Sequence, residues 1–343
     1  MEYFYRFYKS VLINTYIHVM RRTVGTTRRV FAYRIVIVTA WLAAVCSVCS
    51  AAVNPAPKDR QLLVLWPGLG NACWNRGLAD LIDDIRERYG TIDVHCVDAG
   101  YGGLFGDVES QIDDVCEQLR DVVDSKYPIK VSYLGLSQGG LFLRAMLQRC
   151  DLPAGALVTL GSPHAGVSSW PSCPVDVDVG SESWFCTVMD RLVIHDVGTA
   201  AMIRRTIVPA SYLTDDEAPA PFLATVNSCR DSTIGGLHAL KFKAEKFVSF
   251  AFEYDDMLEP PTSAWFWHVD HGRVVPVEQQ PDLHCLRDGL DYEQRTIPGA
   301  AHMQIDADFF FLEIVERYFV VRDGDGDGDD DSDDAGGHMV AIT

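Results

Sequence analysis

Apolar positions along the chain follow two alternating rhythms. Short apolar, β-branched runs at 61–66, 92–97, 129–134, 156–160 and 247–252 read as buried strands. Between them the apolar residues recur every three or four positions, as amphipathic helices require. The first such stretch, 77–89, sets Leu78, Leu81, Ile82 and Ile85 on one face, and others lie at 108–123, 141–149 and 307–318. Thr296 and Ile297 read as one more short strand ahead of the last helix. Strand–helix alternation with continuously apolar strands predicts an α/β fold, a mostly parallel central sheet flanked by helices. One interval breaks the rhythm. About eighty residues separate the strands near 156–160 and 247–252, too many for a crossover connection. They read as a helical cap inserted at about 164–246.

The two ends have a different character. Residues 35–53 are nineteen consecutive uncharged positions, preceded by Arg21, Arg22, Arg28, Arg29 and Arg34. That layout is a secretory signal peptide or a signal-anchor helix, with basic region 1–34 cytosolic and 54–322 translocated. Residues 323–334 hold eight aspartates, and 323–343 read as an acidic, disordered tail. Its Asp323, Asp325 and Asp327 imitate the start of a calcium loop. Yet Asp334 stands where Glu is preferred and no exit helix follows, so no metal is expected.

Charge and cysteine content narrow the function. The formal net charge of -19 divides into +6 for 1–53, -8 for 323–334 and -17 for 54–322. So acidic a body excludes nucleic acid, which needs clustered Lys and Arg to displace counterions. Of ten cysteines, eight lie in the body and none has zinc-type spacing. Downstream of a translocation signal they are expected in disulfides.

Candidate chemistry appears at Gly135-Leu136-Ser137-Gln138-Gly139, between an expected strand and an expected helix. A serine on such a sharp turn is exposed to substrate, and glycines two residues either side keep the bend uncrowded. A nucleophile elbow requires an acid after a late strand and a histidine after the last one. The run at 247–252 leads into Glu253-Tyr254-Asp255-Asp256, which offers the acid as Asp255 or Asp256. Thr296–Ile297 leads into Pro298-Gly299-Ala300-Ala301-His302, which offers the base, with His268, His271 and His284 as rivals. His164 follows its strand too early and reads as lining or buttressing the site. Two backbone donors must hold a developing oxyanion. They are expected at Gln138, which follows the serine, and at Leu69 within Gly68-Leu69-Gly70.

With those residues in hand, the chain resembles the palmitoyl-protein thioesterase family across most of 60–320. The resemblance rests on the run from Leu136 to Ala145, on Gln148-Arg149-Cys150, and on Leu160-Gly161-Ser162-Pro163-His164-Ala165-Gly166-Val167. It rests also on Asp255 with Glu259-Pro260 and Ser263-Ala264-Trp265-Phe266, and on Ala301-His302-Met303-Gln304. It implies the α/β-hydrolase fold, a catalytic triad of Ser137, Asp255 and His302, and no cofactor; Asp255 is preferred over Asp256 on this ground. It implies disulfides Cys116–Cys150 and Cys173–Cys186. An adjacent cysteine pair of the family is here Cys73-Trp74, which leaves Cys73, Cys96, Cys229 and Cys285 unassigned. Pro67 replaces the histidine usual before Gly68.

The implied reaction is hydrolysis of long-chain fatty acyl thioesters from the cysteines of S-acylated proteins or peptides, in the lysosome lumen. A type II membrane protein with a lumenal catalytic domain is the other placement, in which 35–53 hold it to the membrane. A lipase or carboxyl esterase would use the same three side chains, and a non-catalytic membrane-tethered binding module would need the triad broken.

Overall fold

The computed structural model describes residues 60–97, 99–100, 103–126, 130–168, 206–214, 221–229, 244–271, 273–280, 283, 286, 290–320 and 339–341. Its frame is made of β1 (Gln61–Trp66), β2 (Ile92–Cys96), β3 (Val131–Leu136), β4 (Ala154–Leu160) and β5 (Ala244–Phe252). A hairpin of β6 (His268–Asp270) and β7 (Arg273–Val275) precedes the last strand of the frame, β8 (Tyr292–Ile297). The central sheet runs β2-β1-β3-β4-β5-β8 with every neighbour parallel. This is the α/β-hydrolase fold that the family resemblance implies.

Alternation along each strand supplies both faces of the core. On β1, Leu62, Val64 and Trp66 join one apolar cluster, and Leu63 and Leu65 join the other. The first cluster is closed by α2 (Val108–Lys126) and α3 (Gln138–Arg149). The second is closed by α1 (Arg76–Arg88), whose buried residues are Leu78, Leu81, Ile82 and Ile85, the face expected from spacing. The last helix, α5 (residues 307–316), also covers the second cluster through Phe310, Phe311, Ile314 and Val315. It begins as an α-helix at Ala307–Phe309 and widens to π-helical turns over Phe310–Glu316.

The direction of winding determines where a site can form. From β1 the chain moves outward to β2, then returns to the other side of β1 and continues through β3, β4, β5 and β8. Loops leaving the carboxyl ends of β1 and β3 therefore diverge, and a crevice opens between them. β3 lies two residues later than the apolar run suggests, because Gly135 and Leu136 still pair with Trp66 and Leu160. α3 starts at Gln138, three residues early, so strand and helix are separated by Ser137 alone.

The described part of the insertion includes a 3-10 turn at Val208–Ser211 and the short α4 (Pro221–Val226), both packed against α3. Its last residues from Ala244 belong to β5, which begins three residues before the expected strand. Met339–Ala341, within the tail expected to be disordered, form β10, which pairs antiparallel with β9 (Gln304–Asp306). The basic region, the apolar segment 35–53, the aspartate run, and Cys173 and Cys186 lie outside the described residues. Among the described residues, no helix is long and apolar enough to cross a membrane.

Candidate active site

Ser137 occupies the single residue between β3 and α3, with φ 50° and ψ -125°. A non-glycine residue with positive φ is strained, and strained backbone of this kind concentrates at functional turns. The surrounding glycines explain how the turn closes. A Cβ on Gly139 would strike the carbonyls of Trp66 and Pro67, and one on Gly135 would strike the backbone of Gly140. Ser137 N–H donates to the Leu160 carbonyl at 2.8 Å, which ties the elbow to the end of β4.

Strand ends bring two further side chains to that serine. Asp255 follows β5, and His302 follows β8. The Ser137 Oγ to His302 Nε2 distance is 2.9 Å, and His302 Nδ1 lies 2.8 Å from Asp255 Oδ2. The Asp255 side chain is wholly buried, a position that disfavours an unpartnered carboxylate strongly. It is satisfied: Oδ1 accepts from the N–H groups of Met257 and Leu258, at 2.9 Å each. An ionised carboxylate only accepts, so Nδ1 carries the imidazole proton and Nε2 is left to accept from the serine hydroxyl. That tautomer is the one a general base requires. Gly161, at φ 55°, keeps room for the ring; a Cβ there would come within 3.0 Å of His302 Cε1.

The remaining expectations sort by position. Asp256 is exposed and follows the residue that engages His302. His268 and His271 belong to the β6–β7 hairpin, and His284 lies outside the described residues. His164 is fully buried, stacked on Phe266 at 4.7 Å, with Nε2 2.9 Å from Thr159 Oγ1. It buttresses the core below the site. Burial, with the nearby Arg144 cation, holds its imidazole well below the ordinary value.

Beside the serine runs the loop that carries Leu69. A Cβ on Gly68 would stand 3.1 Å from Ser137 Cβ, so this backbone approaches the serine as closely as glycine permits. Beyond it the loop is knotted: Asn71 Oδ1 accepts from Ala72 N–H and Asn75 Nδ2, and Cys73 is bridged to Cys96 at the end of β2. The second described bridge, Cys116–Cys150, joins α2 to the end of α3 and is the pair the resemblance implies. Cys229 is also disulfide-bonded. A cleft lined by Gly68, Asn71, Ala99, Gly100, Gly103 and Gln138 opens between this loop and the one after β2. Among the described residues, no group of three His, Cys, Asp or Glu side chains is placed to hold a metal ion.

Sequence reasoning missed several supports of this arrangement. The amides of Met257 and Leu258 leave no side-chain signal. The Cys73–Cys96 bridge had one: a cysteine follows or ends each of two strands that prove to be neighbours, β1 and β2. That adjacency is a property of the sheet order.

A family model described as palmitoyl protein thioesterase matches residues 63–288. The palmitoyl-protein thioesterase-dolichyl pyrophosphate phosphatase fusion 1 of Schizosaccharomyces pombe is 29% identical over 253 residues, which cover 67% of this chain and 38% of that protein. Palmitoyl-protein thioesterase 1 of Caenorhabditis elegans is 24% identical over 285 residues, covering 75% of this chain and 91% of that one. The chain thus spans well under half of the fusion protein. Among solved structures, Est1E from Butyrivibrio proteoclasticus aligns with a TM-score of 0.39 and 13% identity, over 72% of this chain and 81% of that one.

Proposed function

The chain belongs to the palmitoyl protein thioesterase family, and from that premise we propose that it is a serine hydrolase which removes long-chain fatty acyl groups from protein cysteines. The observation that carries the reading is the unbroken line Asp255–His302–Ser137 at 2.8 and 2.9 Å. His302 Nε2 takes the hydroxyl proton as Ser137 Oγ attacks the thioester carbonyl carbon. Asp255 holds the imidazole and offsets the charge it acquires. The backbone N–H groups of Gln138 and Leu69 are the donors to the tetrahedral oxyanion. Collapse breaks the C–S bond; the thiolate leaves and takes up the proton from His302. A thiol with an ordinary pKa of about 8.5 needs little protonation to depart. Water, deprotonated by His302, then attacks the acyl-serine, and the fatty acid and Ser137 are released. No step calls for a cofactor.

The compartment follows from the segments upstream of the fold. Residues 35–53 are proposed to direct the body into the secretory pathway, with the lysosome lumen as destination and a membrane-anchored lumenal form as the second placement. The Cys73–Cys96 and Cys116–Cys150 bridges support an oxidising compartment. A mature N-terminus near Ala52, read by mass spectrometry, decides between cleavage and anchoring.

The full chain, offered a palmitoyl thioester and the matching oxyester, tests the reaction. Higher turnover of the thioester, lost in Ser137→Ala, is expected. Equal or faster oxyester turnover selects the lipase or carboxyl esterase reading instead, and activity that survives Ser137→Ala removes the mechanism.

A further inference from the structure

Gln138 enters the mechanism above only through its backbone N–H, yet its side chain is unusually committed for a residue at an active-site rim. It is 2% exposed, and both ends of its amide are engaged. Nε2 donates to the Gly103 carbonyl at 2.9 Å, and Oε1 lies 2.8 Å from the Tyr212 hydroxyl. These contacts leave one consistent arrangement of protons. A carbonyl can only accept, so Nε2 must be the end that faces Gly103; Oε1 therefore faces Tyr212, whose hydroxyl must donate. Burial pushes the Tyr212 hydroxyl upward from its ordinary value, so the donor proton is retained across the working pH range.

The partners come from separate parts of the chain. Gly103 lies in the loop after β2, at φ 67°, and a Cβ there would stand 2.6 Å from Gln138 Nε2. Tyr212 comes from the insertion, just after the Val208–Ser211 turn, and its ring packs edge-on against Phe142 of α3 at 6.3 Å. The Gln138 side chain is thus clamped between two loops, one residue beyond a serine held at φ 50°. A peptide at the tip of a strained turn is free to rock unless something fixes it, and an oxyanion donor is effective only when preorganised. We propose that Tyr212 is a positioning residue: through Gln138 Oε1 and the Gly103 contact it fixes the orientation of the Gln138 N–H at the oxyanion, and so makes the inserted segment part of the catalytic machinery. The inference rests on the serine-hydrolase reading and specifies how that site is held.

Three variants of the full chain test it: Tyr212→Phe, which keeps the ring and removes the donor; Gln138→Met, which keeps the backbone N–H and removes both clamps; and their combination. Wild-type acyl-thioester turnover is measured first, and its absence would sink the hydrolase reading, not the clamp. With an active wild type, each single variant is expected to lower kcat about tenfold with KM little changed, a fraction of the 10²–10³ seen when an oxyanion donor is removed outright. The double variant should lose no more than the worse single one, because the two changes break one connection. A long-chain trifluoromethyl ketone, whose adduct with Ser137 carries the oxyanion, should weaken by the same factor as kcat/KM falls. A merely structural role would lower the melting temperature and raise KM without moving that inhibitor in step. Wild-type kcat in Tyr212→Phe, or losses that multiply in the double variant, would overturn the proposal.

Discussion

Ser137 has a conformation that most residues avoid, and its neighbours are the reason it persists. Gly135 and Gly139 let two backbones meet where a Cβ would collide, and the Leu160 carbonyl holds the serine N–H. Asp255 is constrained in a comparable way, by two amides on Oδ1 and the imidazole on Oδ2. This distinguishes it from Asp256, which is exposed. Asp255→Asn would present an amide nitrogen or oxygen to His302 in place of a pure acceptor, and so permit the wrong tautomer. Loss of about 10⁴ in kcat is expected there, while Asp256→Asn stays within about twofold, as steady-state kinetics of the two variants will show. Similar losses in both would mean that the acid is misassigned. The preference for Asp255 came from family resemblance alone, since both aspartates fit the spacing; what separates them physically is a pair of backbone donors that no side-chain pattern records.

At the scale of elements, legibility follows burial. β1, α1, β2 and α2 were readable within a few residues because each is covered on a full face, and full coverage forces an apolar period on the sequence. The β6–β7 hairpin and β9 carry no such period: they are three residues long, and Val274 is largely exposed. The boundary between β3 and α3 departs from the expected one for a different reason. Glycines normally signal a turn, and here they let strand and helix run almost into one another. Disulfides mark the limit most sharply. Cys116 and Cys150 were paired by resemblance, whereas Cys73 and Cys96 required the knowledge that β1 and β2 are neighbours. The two bridges also have separable consequences. Cys116–Cys150 closes 34 residues between two helices of the core, so replacing both cysteines by alanine should cost about 3–4 kcal/mol in chemical denaturation. Cys73–Cys96 closes 23 residues, so its loss should cost stability to a similar degree, and because it also ties down the loop beside Ser137 it should lower activity as well. A denaturation midpoint unmoved by removal of Cys116–Cys150 would contradict the first expectation.

For the whole molecule, the balance of charge is set against a core that shelters polar groups of its own. Arg144 is fully buried beneath the site, donating to the Val226 carbonyl and Asn227 Oδ1, with its guanidinium over the Phe266 ring at 4.8 Å. Asn227 Nδ2 in turn donates to the His164 carbonyl. This hub joins α3, the loop after β4 and the insertion, and it places the fully buried His164 imidazole near a cation. Both burial and that cation favour the neutral ring, so its folded pKa lies well below 6.5 while the unfolded value stays near it. Above about pH 6.5 neither state binds the proton, and His164 contributes no pH dependence. As pH falls below 6.5 the unfolded chain takes up a proton that the folded chain refuses. Stability therefore declines toward acid, by about 1.4 kcal/mol per pH unit from this group, until the depressed folded pKa is reached. His164→Gln keeps a polar side chain toward Thr159 but cannot titrate. It should be less stable than wild type at neutral pH, because packing against Phe266 and Phe247 is reduced. Yet the two denaturation free energies should converge between pH 6.5 and 5, since every other titrating group is common to both proteins. Parallel curves over that interval would mean that the buried imidazole accepts its proton in the folded state, and that the hub beneath the active site is open to water.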